Sequence, residues 1–307
     1  MRSFLMTLSL AAVLAWAALS CHPAPKASSS PKTLFPVPTE ELRMGSEDLS
    51  ILVDIYHRNE SGIWSSDSRN DSLMLYFLGR PYVGHTLESA DCHEYMVVNL
   101  HQLDCMTFTE AVLSLSVWLK ECDAGRLGLE EALSLYPSVL QSIRYRGGER
   151  TDYTSRLHYA SEWLTDNACY IEDITREICP EAERLPLDIS YMSSHPMSYF
   201  YLGQHPEAVP VMQEIEKEIN RAELYYIPEE KISSCWERIP QGAILTVVCS
   251  IAGLDYSHWA FAHFVDGELR ILHASSDAGK VVISERTLES YLSVIPRFIG
   301  VTVSRIR

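Results

Sequence analysis

Phe108, Ala111, Val112, Leu115, Trp118 and Leu119 recur three and four positions apart, which places them on one stripe of a helix and predicts a helix over 105–120. The same period predicts helices over 40–59 and 71–79, the second stopped by Gly79 ahead of Arg80-Pro81, and further ones over 129–136, 157–165 and 207–222. From residue 242 the period shortens to two. Residues 243–249, 258–265, 268–274, 281–284 and 300–306 read as strands separated by turn residues. Helices first and a mostly antiparallel sheet last predict an α+β fold. The sequence contains no internal repeat and no glycine-rich dinucleotide or phosphate loop.

Asp266-Gly267 joins two of these strands as a two-residue hairpin turn. That turn sets Val265 opposite Glu268, Ala260 opposite His273 and His258 opposite Ser275. His258 and His273 then share a face as diagonal neighbours, about 7–8 Å apart at Cα and within reach of a side-chain hydrogen bond. His263 has the other parity and points with Trp259 and Phe261 to the opposite face. Ala260 and Ala262, beside His258, leave that face room for a helix to approach.

Asp104-Cys105 opens the 105–120 helix. Asp104 is expected to cap it by accepting a hydrogen bond from the Met106 or Thr107 amide. Unpaired amides and the helix dipole at that end are expected to lower the cysteine pKa from about 8.5 into the range of roughly 3.5–7.5. A thiol, an imidazole base and a second polar group that orients the base make up an activated nucleophile. Cys105, His258 and His273 supply those three parts. No metal is required, because the histidines lack close ligand spacing, and no cofactor is implied.

The 307-residue chain carries a formal charge of −16, which argues against nucleic acid or anionic lipid as its partner surface and leaves neutral or sugar-bearing substrates open. Arg2 precedes an apolar run over 4–19 that ends Ala18-Leu19-Ser20-Cys21, a pattern that predicts a signal peptide over 1–20. Its removal takes away one arginine and leaves −17. The small residue before Cys21 resembles a lipobox, so lipidation of Cys21 and export to the periplasm or cell surface are expected, with membrane contact only through that anchor. Residues 22–38, rich in Pro, Ser and Ala, read as a flexible tether, followed by a single domain over 39–307. With Cys21 lipidated and Cys105 reactive, Cys92, Cys122, Cys169, Cys179, Cys235 and Cys249 remain and could pair in fifteen ways. Cys169 and Cys179, nearest in sequence, are the first candidates for a disulfide.

Gly79-Arg80-Pro81-Tyr82-Val83-Gly84, Asp104-Cys105, Ser257-His258-Trp259-Ala260 and Leu272-His273-Ala274-Ser275 resemble, in that order, the motifs of the NlpC/p60 superfamily of papain-like cell-wall hydrolases. Asn99-Leu100, the run from Leu103 to Glu110, Tyr153 to Ser161 with its Arg-Leu-His-Tyr centre, and Asp166-Asn167 resemble its N-acetylmuramoyl-L-alanine amidase-like branch. The resemblance covers roughly residues 40–307. It implies a papain-like core in which the nucleophile helix packs on the antiparallel sheet, with an added helical N-terminal segment and a helical insertion over approximately 123–235. It also implies a monomeric thiol amidohydrolase acting on muropeptides, with Cys105, His258 and His273 catalytic. Tyr82 and Asp104 fall near the oxyanion or substrate, and Arg156 and His158 are placed at the cleft. Where the superfamily usually has Ser-Gly after the cysteine, this chain has Met106-Thr107. An endopeptidase cutting between D-glutamate and the diamino acid of the stem peptide is the alternative, and a non-catalytic wall-binding lipoprotein the second. In the related endopeptidases an Asp and a Tyr at these positions grip a free alanine ammonium.

Overall fold

The computed structural model describes residues 31–65 and 68–307. The predicted signal peptide, Cys21 and residues 22–30 of the tether lie outside the described residues. The elements follow in chain order: β1 (Leu42–Met44), α1 (Ser46–Glu60), α2 (Arg69–Tyr76), β2 (Met96–Val98), α3 (Cys105–Gly125), α4 (Leu129–Arg144), α5 (Ala160–Asp166), β3 (Ile171–Asp173), α6 (Thr175–Ile178), β4 (Glu183–Arg184), α7 (Tyr191–Ser194), α8 (Phe200–Gln204), α9 (Val209–Ile219), β5 (Tyr225–Pro228), β6 (Ile244–Cys249), β7 (Tyr256–Val265), β8 (Glu268–Ser275), β9 (Lys280–Thr287), α10 (Leu288–Ser293) and β10 (Phe298–Ile306). The fold is α+β. Its main sheet runs β4-β5-β10-β6-β7-β8-β9, with β3 also paired to β10, and every pairing in it is antiparallel. β1 and β2 form a separate parallel pair.

The hairpin register is set by its turn. Asp266 and Gly267 both have positive φ, 52° and 83°, the backbone that a two-residue turn needs to match the strand twist, and Val265 pairs with Glu268. At the other end of the sheet β10 passes very close to β5. A Cβ on Gly300 would stand 2.2 Å from the Ile227 carbonyl oxygen, so only glycine fits there.

Side-chain alternation divides the core in two. Trp259, Phe261, Leu272 and Ala274 face α3, where the Phe108 ring meets Phe261 edge to face at 5.3 Å. Ala260, Ala262 and Ile271 face the other way and pack with Leu288 and Leu292 of α10. α3 therefore does not lie on the small-residue face beside His258, as the alanines suggest. The large aromatic residues of β7 offer α3 more apolar area to bury, and the alanines admit the short α10 instead.

Several expected boundaries shift for local reasons. The helix expected from residue 40 is preceded by β1, because residues 42–44 pair with β2, and it starts after Gly45, whose amide donates to Asp48 Oδ2 at 3.1 Å. α4 continues through Pro137 to Arg144 because Val139, Leu140 and Ile143 beyond the proline are buried. Lys32 bonds to Asp166, Asn167 and the Ser142 carbonyl, and Leu34 and Val37 pack on the core, so the end of the expected tether lies against the domain. The insertion is not purely helical: it also contributes β3, β4 and β5 to the sheet.

Cys169 and Cys179 do not pair. Both are free thiols, and β3 between them is anchored on β10. Cys179 is buried in the second core beside Cys235, whose thiol burial and the neighbouring Cys179 push up to about 12.

Candidate active site

The N-terminus of α3 is held by a reciprocal cap. Asp104 Oδ1 accepts from the Thr107 amide and from Thr107 Oγ1, each at 2.8 Å, while Thr107 Oγ1 accepts from the Asp104 amide at 2.8 Å. Beyond this turn α3 is buried from Thr107 to Leu119, so Cys105 is the first residue of a rigid rod.

The sulfur occupies a split in the sheet. The β7–β8 ladder runs from Val265–Glu268 to Phe261–Leu272 and stops. Counting back from the hydrogen-bonded pair at the turn, the amides of Val265, His263, Phe261 and Trp259 all point toward β8. Past Leu272 the ladder ends, and the Trp259 amide faces the Cys105 sulfur. This puts the sulfur against the β7 backbone one residue from His258. The amides of Met106 and of Cys105 itself also point at it.

These amides do not produce the low pKa expected of a helix-start thiol. Burial first, and then the negative charge of Asp104, push the Cys105 thiol up to about 12. The resting group is the neutral thiol. Since thiolate grows with pH until the pKa is passed, alkylation of Cys105 by iodoacetamide in the substrate-free protein should be slow at pH 7 and still rising at pH 10. A rate already at plateau at pH 7 would show a preformed thiolate.

His258 Nε2 lies 2.7 Å from His273 Nδ1, with the two rings edge to face at 4.9 Å. Burial, followed by the adjoining His273 and Arg297, brings the His258 pKa down to about 3. Burial brings His273 down to about 4 against the opposing pull of Asp277. Both imidazoles are neutral at pH 7. For His258 Nδ1 to accept a proton, its Nε2 must carry the hydrogen and donate to His273 Nδ1, which sets the tautomer of both rings. Among the described residues His258 Nδ1 makes no hydrogen bond, and none joins the thiol to either ring.

Sequence reasoning missed Tyr291. Its ring lies 6.0 Å from that of His258 and 5.4 Å from that of His273. Burial and the neighbouring Cys105 sulfur raise its hydroxyl to about 12. The only signal was the spacing of Leu288, Tyr291 and Leu292, a single helical turn in a six-residue element.

The other expected site residues divide. Tyr82 belongs to a strap that crosses from β9 to α3: its amide donates to the Gly279 carbonyl at 2.9 Å and the Val83 amide to the Leu103 carbonyl at 3.2 Å. Burial and the charges of Cys105 and Asp104 hold the Tyr82 hydroxyl at about 12, so it remains a donor. Arg156 is not available to a ligand. Its Nε and Nη2 donate to Glu94 Oε1 and Oε2 at 2.8 and 2.7 Å inside the protein. His158 is held by the Tyr153 carbonyl at 2.8 Å, and burial beside Arg156 takes its pKa down to about 3. Glu110, one turn further along α3, is buried against Arg144 at 2.7 Å. His263 faces Gln241 at 2.9 Å.

A cavity of about 790 Å³ lies between α5, α9, β3 and β10, but Cys105, His258 and His273 do not line it. The chemistry locates the site better than the volume does. Among the described residues no group of three His, Cys, Asp or Glu side chains converges as a metal centre would, and no helix is long and apolar enough to cross a membrane.

A family profile described as N-acetylmuramoyl-L-alanine amidase-like matches residues 72–301. The chain is 35% identical to a crystal structure of an N-acetylmuramoyl-L-alanine amidase from Bacteroides uniformis, with a TM-score of 0.69 over 77% of this chain and 98% of that one. It is also 35% identical to a Bacteroides fragilis protein named a "putative xylanase", with a TM-score of 0.68 over 76% of this chain and 100% of that one. A Legionella pneumophila protein, 22% identical over 85% of this chain and 94% of that one, shares the fold with a TM-score of 0.62. No curated protein matches the chain.

Proposed function

Because the chain belongs to the N-acetylmuramoyl-L-alanine amidase-like family of peptidoglycan hydrolases, we propose that it cleaves the amide between the lactyl group of N-acetylmuramic acid and L-alanine in muropeptides, by a Cys-His-His thiol mechanism. The observation that carries this reading is the free Cys105 sulfur in the split of the sheet, beside a hydrogen-bonded His258–His273 pair. The order of the sequence motifs supports a place in the NlpC/p60 superfamily, and the N-terminal sequence supports export with a lipid on Cys21.

The proton of Cys105 passes to His258 Nδ1 as the sulfur attacks the lactyl carbonyl carbon. The imidazolium that forms keeps its Nε2 hydrogen on His273 Nδ1. The Cys105 amide and the Tyr82 hydroxyl are the donors we assign to the developing oxyanion. His258 returns the proton to the alanine nitrogen as the carbon–nitrogen bond breaks, leaving a thioester. Water, deprotonated by His258, attacks the thioester and releases the muramic acid carboxyl group and the thiol. General base help of this kind is worth typically about 10²–10⁴-fold.

The name of the Bacteroides fragilis neighbour raises a glycosidic alternative. That chemistry requires two carboxyl groups facing one bond at roughly 5–9.5 Å. Asp104 adjoins the thiol but is engaged in its cap, Asp277 lies near His273, and the central groups are a sulfur and two imidazoles. An amide is the substrate this set suits. The proximity of Tyr82 to Asp104 favours the stem-peptide endopeptidase as a second reading.

Digestion of a disaccharide-tripeptide, followed by mass spectrometry, separates the two. Release of an intact tripeptide beginning with alanine is expected. Release of the diamino acid with alanine-glutamate left on the sugar would replace the amidase by the endopeptidase, and unchanged substrate would remove both.

A further inference from the structure

Arg297 stands beside the candidate catalytic groups, exposed and without an ion-pair partner among the described residues. Arg305 and Arg270 pair with Glu172 and Glu268, but among the described residues Arg297 and Arg286 make no ion pair. Arg297 is exposed, and its backbone carbonyl is fixed by the Ser250 amide at 2.9 Å. Its guanidinium lies 5.6 Å from the centre of the Phe298 ring, Phe298 stacks on Tyr291 at 5.9 Å, and Tyr291 reaches His258 at 6.0 Å. The charge of Arg297 is felt at His258 and Tyr291 and that of Arg286 at Tyr291, where Asp277 acts in the opposite sense. In a chain of formal charge −16, which repels anions at long range, Arg297 and Arg286 offset Asp277 beside the reacting groups and give an incoming carboxylate a local partner.

We propose that Arg297, flanked by Arg286, is the carboxylate-binding edge of the cleft and selects muropeptides whose stem peptide presents a free α-carboxylate near the scissile amide. The inference rests on the amidase reading for the identity of the substrate. A planar guanidinium matches a carboxylate with two parallel hydrogen bonds, and the exposed position leaves its donors open to a ligand. The contact also acts on the base. Arg297 disfavours charge on His258 in the empty site, and a carboxylate that neutralises it would ease formation of the imidazolium once substrate is seated. Binding of the correct stem and activation of the thiol are thereby linked.

The test measures binding to the full-length Cys105→Ala protein by calorimetry, using two disaccharide-tripeptides that differ only in whether the glutamate α-carboxyl group is free or amidated. The free-carboxyl form should bind about tenfold or more tightly than the amide, as expected for a charged hydrogen-bonded contact. Adding Arg297→Gln should bring the ratio to about one, and Arg297→Lys should keep part of it. Equal affinities in the Cys105→Ala protein, equal weakening of both ligands by Arg297→Gln, or no binding of either would overturn the inference. The masses of the wild-type products judge the amidase reading separately, since the affinity ratio does not depend on which amide is cut.

Discussion

Replacing Cys105 by alanine should reduce muropeptide turnover by at least about 10⁴-fold, because the step that forms the thioester has no other nucleophile. His258→Ala should cost about as much, and the double variant scarcely more, since the two groups act as one unit. Initial rates on a disaccharide-peptide, with circular dichroism to show that each variant is folded, check this. Turnover by Cys105→Ala within tenfold of wild type would remove the thiol from the mechanism. The distinction matters here because the resting sulfur is protonated and makes no hydrogen bond to an imidazole. The proposed role rests on proton transfer during attack rather than on a standing ion pair.

Arg156→Ala should destabilise the folded protein by about 3–5 kcal/mol, the usual cost of removing one partner of a buried ion pair. Glu94 takes two hydrogen bonds from Arg156 and one from the Tyr145 hydroxyl at 2.8 Å, all within the protein. The lost guanidinium would leave that carboxylate buried with a single donor. Exchanging both Arg156 and Glu94 for methionine should recover much of the loss, because no charge then remains to be solvated. Urea unfolding of the two variants gives the comparison. A loss below about 1 kcal/mol in Arg156→Ala, the range of a surface pair, would show that solvent reaches Glu94.

Much of the site was legible because its signals are local. Asp266-Gly267 sets the hairpin register, and the register puts His258 and His273 on one face without further information. The cap before Cys105 is likewise contained within four residues, Asp104 to Thr107. What could not be read depends on contacts distant in sequence. The partner of Arg156 is Glu94, 62 positions earlier, so a buried ion pair looked like a cleft cation. β3, β4 and β5 are two to four residues long, too short to show alternation, and their strand character comes only from pairing with the sheet. The thiol pKa misled for a similar reason. A helix start favours the thiolate, but burial against the sheet and the adjoining Asp104 oppose it more strongly. Ala260 and Ala262 signalled a helix at close quarters, yet which helix took that place was decided by the greater area of Trp259 and Phe261 on the other side.

Turnover of a disaccharide-peptide in the presence of hydroxylamine tests the central claim most directly, since a thioester on Cys105 partitions between water and the stronger nucleophile. The mechanism predicts a hydroxamate on the lactyl group of the muramic acid, growing with hydroxylamine at the expense of the free acid, and neither product from Cys105→Ala. Free acid alone at every hydroxylamine concentration, or a hydroxamate on glutamate in place of the lactyl group, would contradict it.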